Sequence, residues 1–119
     1  MRSPLAALTL LLACGASLSE AKAVFAHFMV GNTKSFGLED WKHEIQLAKD
    51  AYIDAFALNM ASNDATNNVG LPLAFSAAEA LGFELFFSFD YAGTGPWDKS
   101  VVTDMIKKYG RALPTTRRA

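Results

Sequence analysis

A chain of 119 residues with 11 basic and 12 acidic side chains, a net charge of −1, has room for one small domain and offers no basic surface for a nucleic acid. Its single cysteine, Cys14, excludes a disulfide framework, and Arg117 with Arg118 at the end is too small a patch to change the charge argument. Stability must come from a core, for which 51% apolar residues provide the material.

Residues 1–23 differ in kind from the rest. Arg2 precedes an apolar stretch over residues 5–13, and small residues follow, with Cys14-Gly15-Ala16 and Ala21-Lys22-Ala23 both suited to cleavage. The segment reads as a secretory signal peptide, because its apolar part falls short of the roughly 20 residues a bilayer-spanning helix takes. A competing reading takes Leu11-Leu12-Ala13-Cys14 as a lipoprotein signal with Cys14 lipidated. Removal of residues 1–23 would take away Arg2, Lys22, Glu20 and the cysteine, leaving 96 residues with 9 basic and 11 acidic side chains.

Three strand and helix units follow. Residues 23–31 (AVFAHFMVG) and 53–60 (IDAFALNM) read as strands, and a helix is expected over about 38–51. Trp41, Ile45 and Ala48, with Leu38 and Leu47 beside them, give that helix an apolar stripe, while Glu39, Lys42, Glu44 and Lys49 take the remaining surface. A second helix is expected over about 71–81, with Leu73, Ala74, Ala77, Ala78 and Leu81 as its stripe and Gly82 in the left-handed position that ends it. Residues 84–90 have only Glu84 and Ser88 polar before Asp90, which predicts a strand covered on both faces. A third helix begins near Asp98, a side chain suited to cap free amides, and runs through Val101, Val102, Met105 and Ile106 to Tyr109 and Gly110.

This βαβαβ order calls for an α/β fold with a parallel sheet. Three parallel strands leave open edges, and a closed barrel takes about 250 residues, so the expectation is a truncated barrel able to self-associate through those edges. In such barrels the chemistry sits on loops after the strands, which makes Asp90 a site candidate where the third strand stops. An Asp before a Gly-rich turn also reads as a plain turn former or cap.

The blocks AKAVFAHFMVGNT, DWKHEIQLAKDAYIDAFALNM and ALGFELFFSFDYAGTGPWDK resemble the N-terminal part of the fungal α-1,3-glucanases, the mutanases of glycoside hydrolase family 71. The resemblance runs from Ala21 to about Tyr109. It implies a secreted, extracellular glycosidase acting on α-1,3-glucan of fungal cell walls or on mutan. The implied fold is a parallel (β/α)8 TIM barrel, of which residues 24–119 would hold about the first three βα units. It also implies that the catalytic acid and base lie on later strands, so no catalytic residue is assigned here, and that hydrolysis proceeds with inversion. The residues RALPTTRRA, 111–119, depart from the family pattern, as an early stop, a frameshift or a misread intron would make them. Tyr52 stands where relatives tend to carry Gly; if the backbone there is left-handed, the strain is about 1 kcal/mol.

Carried over to this sequence, the rim of the first three strands supplies the substrate-binding candidates His27, Asn59, Asp64, Asp90 and Tyr91, with Trp97 in the loop beyond. Each has a plainer reading. A lone histidine in an apolar strand, His27 reads first as a core side chain and second as a donor to a sugar hydroxyl. Asn59 bonds a hydroxyl or ties down its own loop. Asp64, among Ser62, Asn63 and Asn67, is a substrate contact or a solvated turn. Tyr91 and Trp97 form a stacking platform for the C–H faces of sugars, or Trp97 after Pro96 plugs the barrel mouth.

No metal or cofactor is implied, because His27 and His43 lack acidic or cysteine partners at ligand spacing. Gly93-Thr94-Gly95 lacks the third glycine and the lysine of phosphate loops. Asp64 and Asp90 are not assigned as the hydrolytic pair. Two functions stay open, a fragment of an α-1,3-glucan hydrolase and a secreted, non-catalytic glucan-binding remnant. A flavodoxin-like nucleotide domain would need fourth and fifth strands.

Overall fold

The computed structural model describes residues 22–110. The expected signal segment through residue 21, with Cys14, and the tail 111–119, with Arg117 and Arg118, lie outside the described residues.

The chain alternates strand and helix: β1 (Phe25–Met29), a 3₁₀ turn (Val30–Thr33), α1 (Leu38–Asp50), β2 (Ala55–Ala61), α2 (Ala65–Leu81), β3 (Glu84–Asp90) and α3 (Lys99–Tyr109). The strands form one parallel sheet in the order β1-β2-β3. Its register sets Phe28 beside Leu58 and Leu58 beside Phe87, and places Ala61 opposite Asp90 at the end of the ladder. Where the ladder enters, the Val24 N–H donates to Asp54 Oδ2 at 2.7 Å and the Asp54 N–H to the Val24 carbonyl at 2.8 Å.

Because side chains alternate across a strand, one face of the sheet presents Ala26, Phe28, Phe56, Leu58, Met60, Leu85, Phe87 and Phe89. These pack with Trp41, Ile45 and Ala48 of α1 and with Leu71, Ala74, Phe75, Ala77 and Ala78 of α2 in a single core. Aromatic rings knit it together: Phe28 stacks on Phe56 at 4.7 Å and meets Trp41 at 5.1 Å. The third helix packs on this core through Val102, Met105 and Tyr109, the last of which stacks on Phe75 at 4.5 Å and meets Phe87 edge on at 6.0 Å. None of its residues is buried, so α3 is the most lightly docked of the three helices.

All three helices cover the same face, so among the described residues β3 is covered on one face where the sequence suggests two. On the other face Phe25, Met29 and Phe86 are 56%, 45% and 38% exposed. A strand destined for two covered faces and one with a single covered face plus apolar residues on the other look alike in sequence. The Phe25 and Phe86 rings meet edge to face at 5.1 Å, reaching toward each other across the small side chains of Ala55 and Ala57.

The second helix also begins earlier than expected, at Ala65 instead of Leu71. Thr66, Asn67, Asn68 and Gly70 are weak helix formers, and Pro72 stands inside the helix, where it removes the bond to the carbonyl of Asn68. What overrides these signals is the cap and the packing. The Asp64 carboxylate accepts the Thr66 N–H at 2.9 Å, and Asn67, Gly70 and Leu71 are buried.

The ends of α1 and α2 share one motif. At Gly82, with φ of 65°, the Phe83 N–H reaches back to the Ala78 carbonyl at 2.9 Å. At Tyr52, with φ of 60°, the Ile53 N–H reaches the Ala48 carbonyl at 2.9 Å and the Tyr52 N–H the Lys49 carbonyl at 3.0 Å. Both are Schellman turns, one with the glycine the conformation favours and one with tyrosine.

Candidate glucan-binding rim

Parallel strands deliver their last residues to one end of the sheet, and on the open face that end is polar. Asn59 lies between Met29 and Ser88 in register, with Asp90 one step further along β3 opposite Ala61. His27 stands on the same face of β1, exposed, with its Nε2 3.2 Å from the Met29 sulfur. The core reading of His27 is therefore corrected: its strand parity turns it away from the helices. Ser88 was not singled out from the sequence as a site residue. The available signal was its spacing of two from Asp90, which puts both on one face of β3.

Asp90 is held by the loop it opens. Its Oδ1 accepts the N–H groups of Ala92 at 2.8 Å and Gly93 at 3.3 Å, the geometry of an Asx turn. Its Oδ2 lies over Gly93, where a methyl group would stand 3.4 Å from it. The turn-forming and ligand-facing readings of Asp90 thus fall on different oxygens of one carboxylate. Tyr91, next in the chain, is 55% exposed at the rim.

Trp97 is 8% exposed, which leaves little ring face for a sugar. Its indole N–H is shared between the carbonyls of Asp90 at 3.0 Å and Met60 at 3.2 Å, and its ring meets Phe89 edge on at 5.0 Å. These contacts seat the ring on the helix side of the sheet end. Asp64, half-buried, caps α2 through Oδ1 and lines, with Trp97, Asp104 and Lys108, a groove of about 600 Å³ between α2 and α3. The structure thus gathers His27, Asn59, Ser88 and Asp90 on the open face, while Asp64 and Trp97 meet in a separate groove on the helix side.

Among the described residues, Asp98 is the titratable group with a resolved shift. The Ser100 hydroxyl and the Ser100 N–H, each at 2.8 Å, donate to its carboxylate and hold it below the usual 3.8. It serves the start of α3. Among the described residues no cluster of three or more His, Cys, Asp or Glu is placed to hold a metal ion, and no helix is long and apolar enough to cross a membrane.

Parallel βα units with a polar row at the carboxyl ends of the strands define the α/β class in which ligands bind at the strand ends. Within that class, the profile of glycosyl hydrolase family 71 matches residues 20–117. The chain belongs to glycosyl hydrolase family 71. The match continues past Tyr109 into the tail set aside above as off pattern.

A mutanase of Penicillium rubens is 47% identical over 93 residues, covering 78% of this chain and 21% of its own length. A glucan endo-1,3-alpha-glucosidase of Schizosaccharomyces pombe is 45% identical over 71 residues, 58% of this chain and 16% of its own. An ascus wall endo-1,3-alpha-glucanase of the same yeast is 40% identical over 99 residues, 79% of this chain and 23% of its own. The chain spans about a fifth of the length of these curated relatives. No solved structure matches it.

Proposed function

We propose that residues 24–119 are the first three βα units of a (β/α)8 barrel that hydrolyses α-1,3-glucosidic bonds, and that they follow a cleaved secretory signal over residues 1–23. The observation that carries this reading is the family match across residues 20–117, joined by relatives named mutanase and endo-1,3-alpha-glucanase. The protein then works outside the cell on α-1,3-glucan.

In this reading the open face of the sheet is the inner wall of the barrel, and Asn59, Ser88 and Asp90 form part of its cleft. A sugar hydroxyl both donates and accepts. It can donate to Asp90 Oδ2 and accept from the Asn59 amide or the Ser88 hydroxyl, while His27 and Tyr91 extend the polar surface. Glycoside hydrolysis needs a carboxylic acid to protonate the leaving oxygen and a carboxylate to activate water or attack. Asp64 and Asp90 do not serve as that pair, since one caps a helix on the helix side and the other faces the open side of the sheet. The acid and base belong to strands beyond these three, and this chain by itself holds glucan without cleaving it.

Incubation of the purified chain with insoluble α-1,3-glucan tests both halves of the reading. The expected result is protein carried down with the glucan and no release of reducing sugar. Sugar release would place an acid and base within this chain, and protein left wholly in solution would remove the rim from the substrate cleft.

A further inference from the structure

The loops leaving β2 and β3 are tied to each other by side chains that the binding rim does not use. The Ser62 hydroxyl lies 3.2 Å from the Thr94 hydroxyl and donates to the Gly95 carbonyl at 3.3 Å, while the Thr94 hydroxyl donates back to the Ser62 carbonyl. Ser62 is buried and Thr94 exposed, so these bonds lie at the edge of the core, part-buried. A few residues on, the Trp97 N–H bridges the carbonyls of Met60 and Asp90, one from each strand end. Residues 91–97 therefore form an arch fixed at both feet, with Gly95 at φ of 101° allowing the bend between them.

Asp90 is one foot of that arch. Its backbone carbonyl is held by Trp97, and its Oδ1 is occupied by the first two amides of the arch, Ala92 and Gly93. With one oxygen committed, the carboxylate cannot rotate freely, and the other oxygen keeps a fixed direction. Gly93 completes the device, because a methyl group there would rest in van der Waals contact with Oδ2, 3.4 Å away, and cover part of the side a ligand would approach.

We propose that Trp97, Ser62 and Thr94 are positioning residues for Asp90, and that Gly93 is a specificity-determining position that keeps Asp90 Oδ2 open to a hydroxyl donor of a neutral sugar. The identity of the sugar rests on the glucan reading above; the positioning does not. The role of Trp97 is then to orient the carboxylate through backbone carbonyls, without touching the ligand.

The test uses the full chain, with two readouts. Hydrogen exchange of a peptide over residues 91–96 reports the arch, and retention on insoluble α-1,3-glucan reports the rim. Trp97→Phe, which keeps the ring and deletes the donor, and Thr94→Val should each speed exchange in residues 91–96 by about tenfold, as the loss of one hydrogen bond implies, and leave residues 38–50 unchanged. Both should lower glucan retention by a similar factor. Gly93→Ala should lower retention with exchange elsewhere in the chain unaltered.

Unchanged exchange over residues 91–96 in both variants overturns the proposal. So does faster exchange spread evenly through residues 38–50, which is the mark of a purely structural role. If Trp97→Phe fails to fold, Thr94→Val decides alone. Faster exchange confined to residues 91–96 in a chain that ignores α-1,3-glucan upholds the positioning and refutes the glucan reading.

Discussion

Tyr52→Gly should stabilise this chain, against the usual direction for replacing an aromatic residue. Tyr52 holds φ of 60°, a region where Cβ crowds the following carbonyl at a cost of about 1–2 kcal/mol for an L residue. Its side chain returns little, because it is 88% exposed. Glycine removes the strain but adds unfolded-state freedom, worth roughly 0.5–1 kcal/mol in the opposite sense. The net lies between about zero and a gain of about 1.5 kcal/mol, each kcal/mol raising the melting temperature by roughly 4–8 °C for a domain of this size. The Schellman bonds from Tyr52 and Ile53 use backbone atoms alone and survive the change. Thermal unfolding followed by far-ultraviolet circular dichroism measures the shift. A melting temperature below that of the parent chain would refute the reasoning, since the strain relieved would then be smaller than the freedom glycine adds to the unfolded chain.

Gly70→Ala in the buried side of α2 should also be tolerated and stabilise by up to about 1 kcal/mol. The added methyl would meet Thr33 Oγ1 at 3.4 Å, Val30 Cγ1 at 3.5 Å and Trp41 Cζ2 at 3.8 Å, all ordinary contacts; a marked fall in urea midpoint would contradict this. Tyr109→Ala removes the stacking on Phe75 and Phe87 that docks α3. It should release that helix to proteolysis while residues 25–90 remain protected, and a cleavage pattern matching the parent chain would count against it. Asp98 has a lowered pKa in the folded chain, so its contribution to stability is present above the unfolded value and is lost as pH falls through the folded one. The melting temperature should drop below about pH 4, the ordinary range of a free aspartate. That drop should be smaller in Asp98→Asn, and an identical acid profile in the two would exclude the cap.

Much of the fold was legible from period and punctuation. The run Glu84–Asp90 became β3 with the expected ends. Trp41, Ile45 and Ala48 became the buried stripe of α1, and Gly82 took the left-handed turn after α2. The early start of α2 was hidden because Asn67, Gly70 and Pro72 each argue against helix locally, and only tertiary burial and the Asp64 cap outweigh them.

The site was harder to read. Asp90 is visible as a carboxylate where an apolar strand stops, but Ser88 is only a polar residue within that strand until the register sets it beside Asn59. His27 was misjudged because a strand of mixed aromatic and aliphatic residues does not reveal which parity faces the helices. Trp97, by its sequence, suited either a sugar platform or a plug. The two carbonyls that share its N–H come from residues 7 and 37 positions away, which no local pattern reports.

The most direct test of the glucan-binding rim is the co-sedimentation of parent chain and Asp90→Ala with insoluble α-1,3-glucan, with insoluble β-1,3-glucan as the control. The account predicts that the parent chain sediments with the α-linked polymer and not with the β-linked one, and that Asp90→Ala loses about tenfold in retention, the order of one charge-assisted hydrogen bond. Equal retention of both proteins, or equal affinity for both polymers, would contradict it.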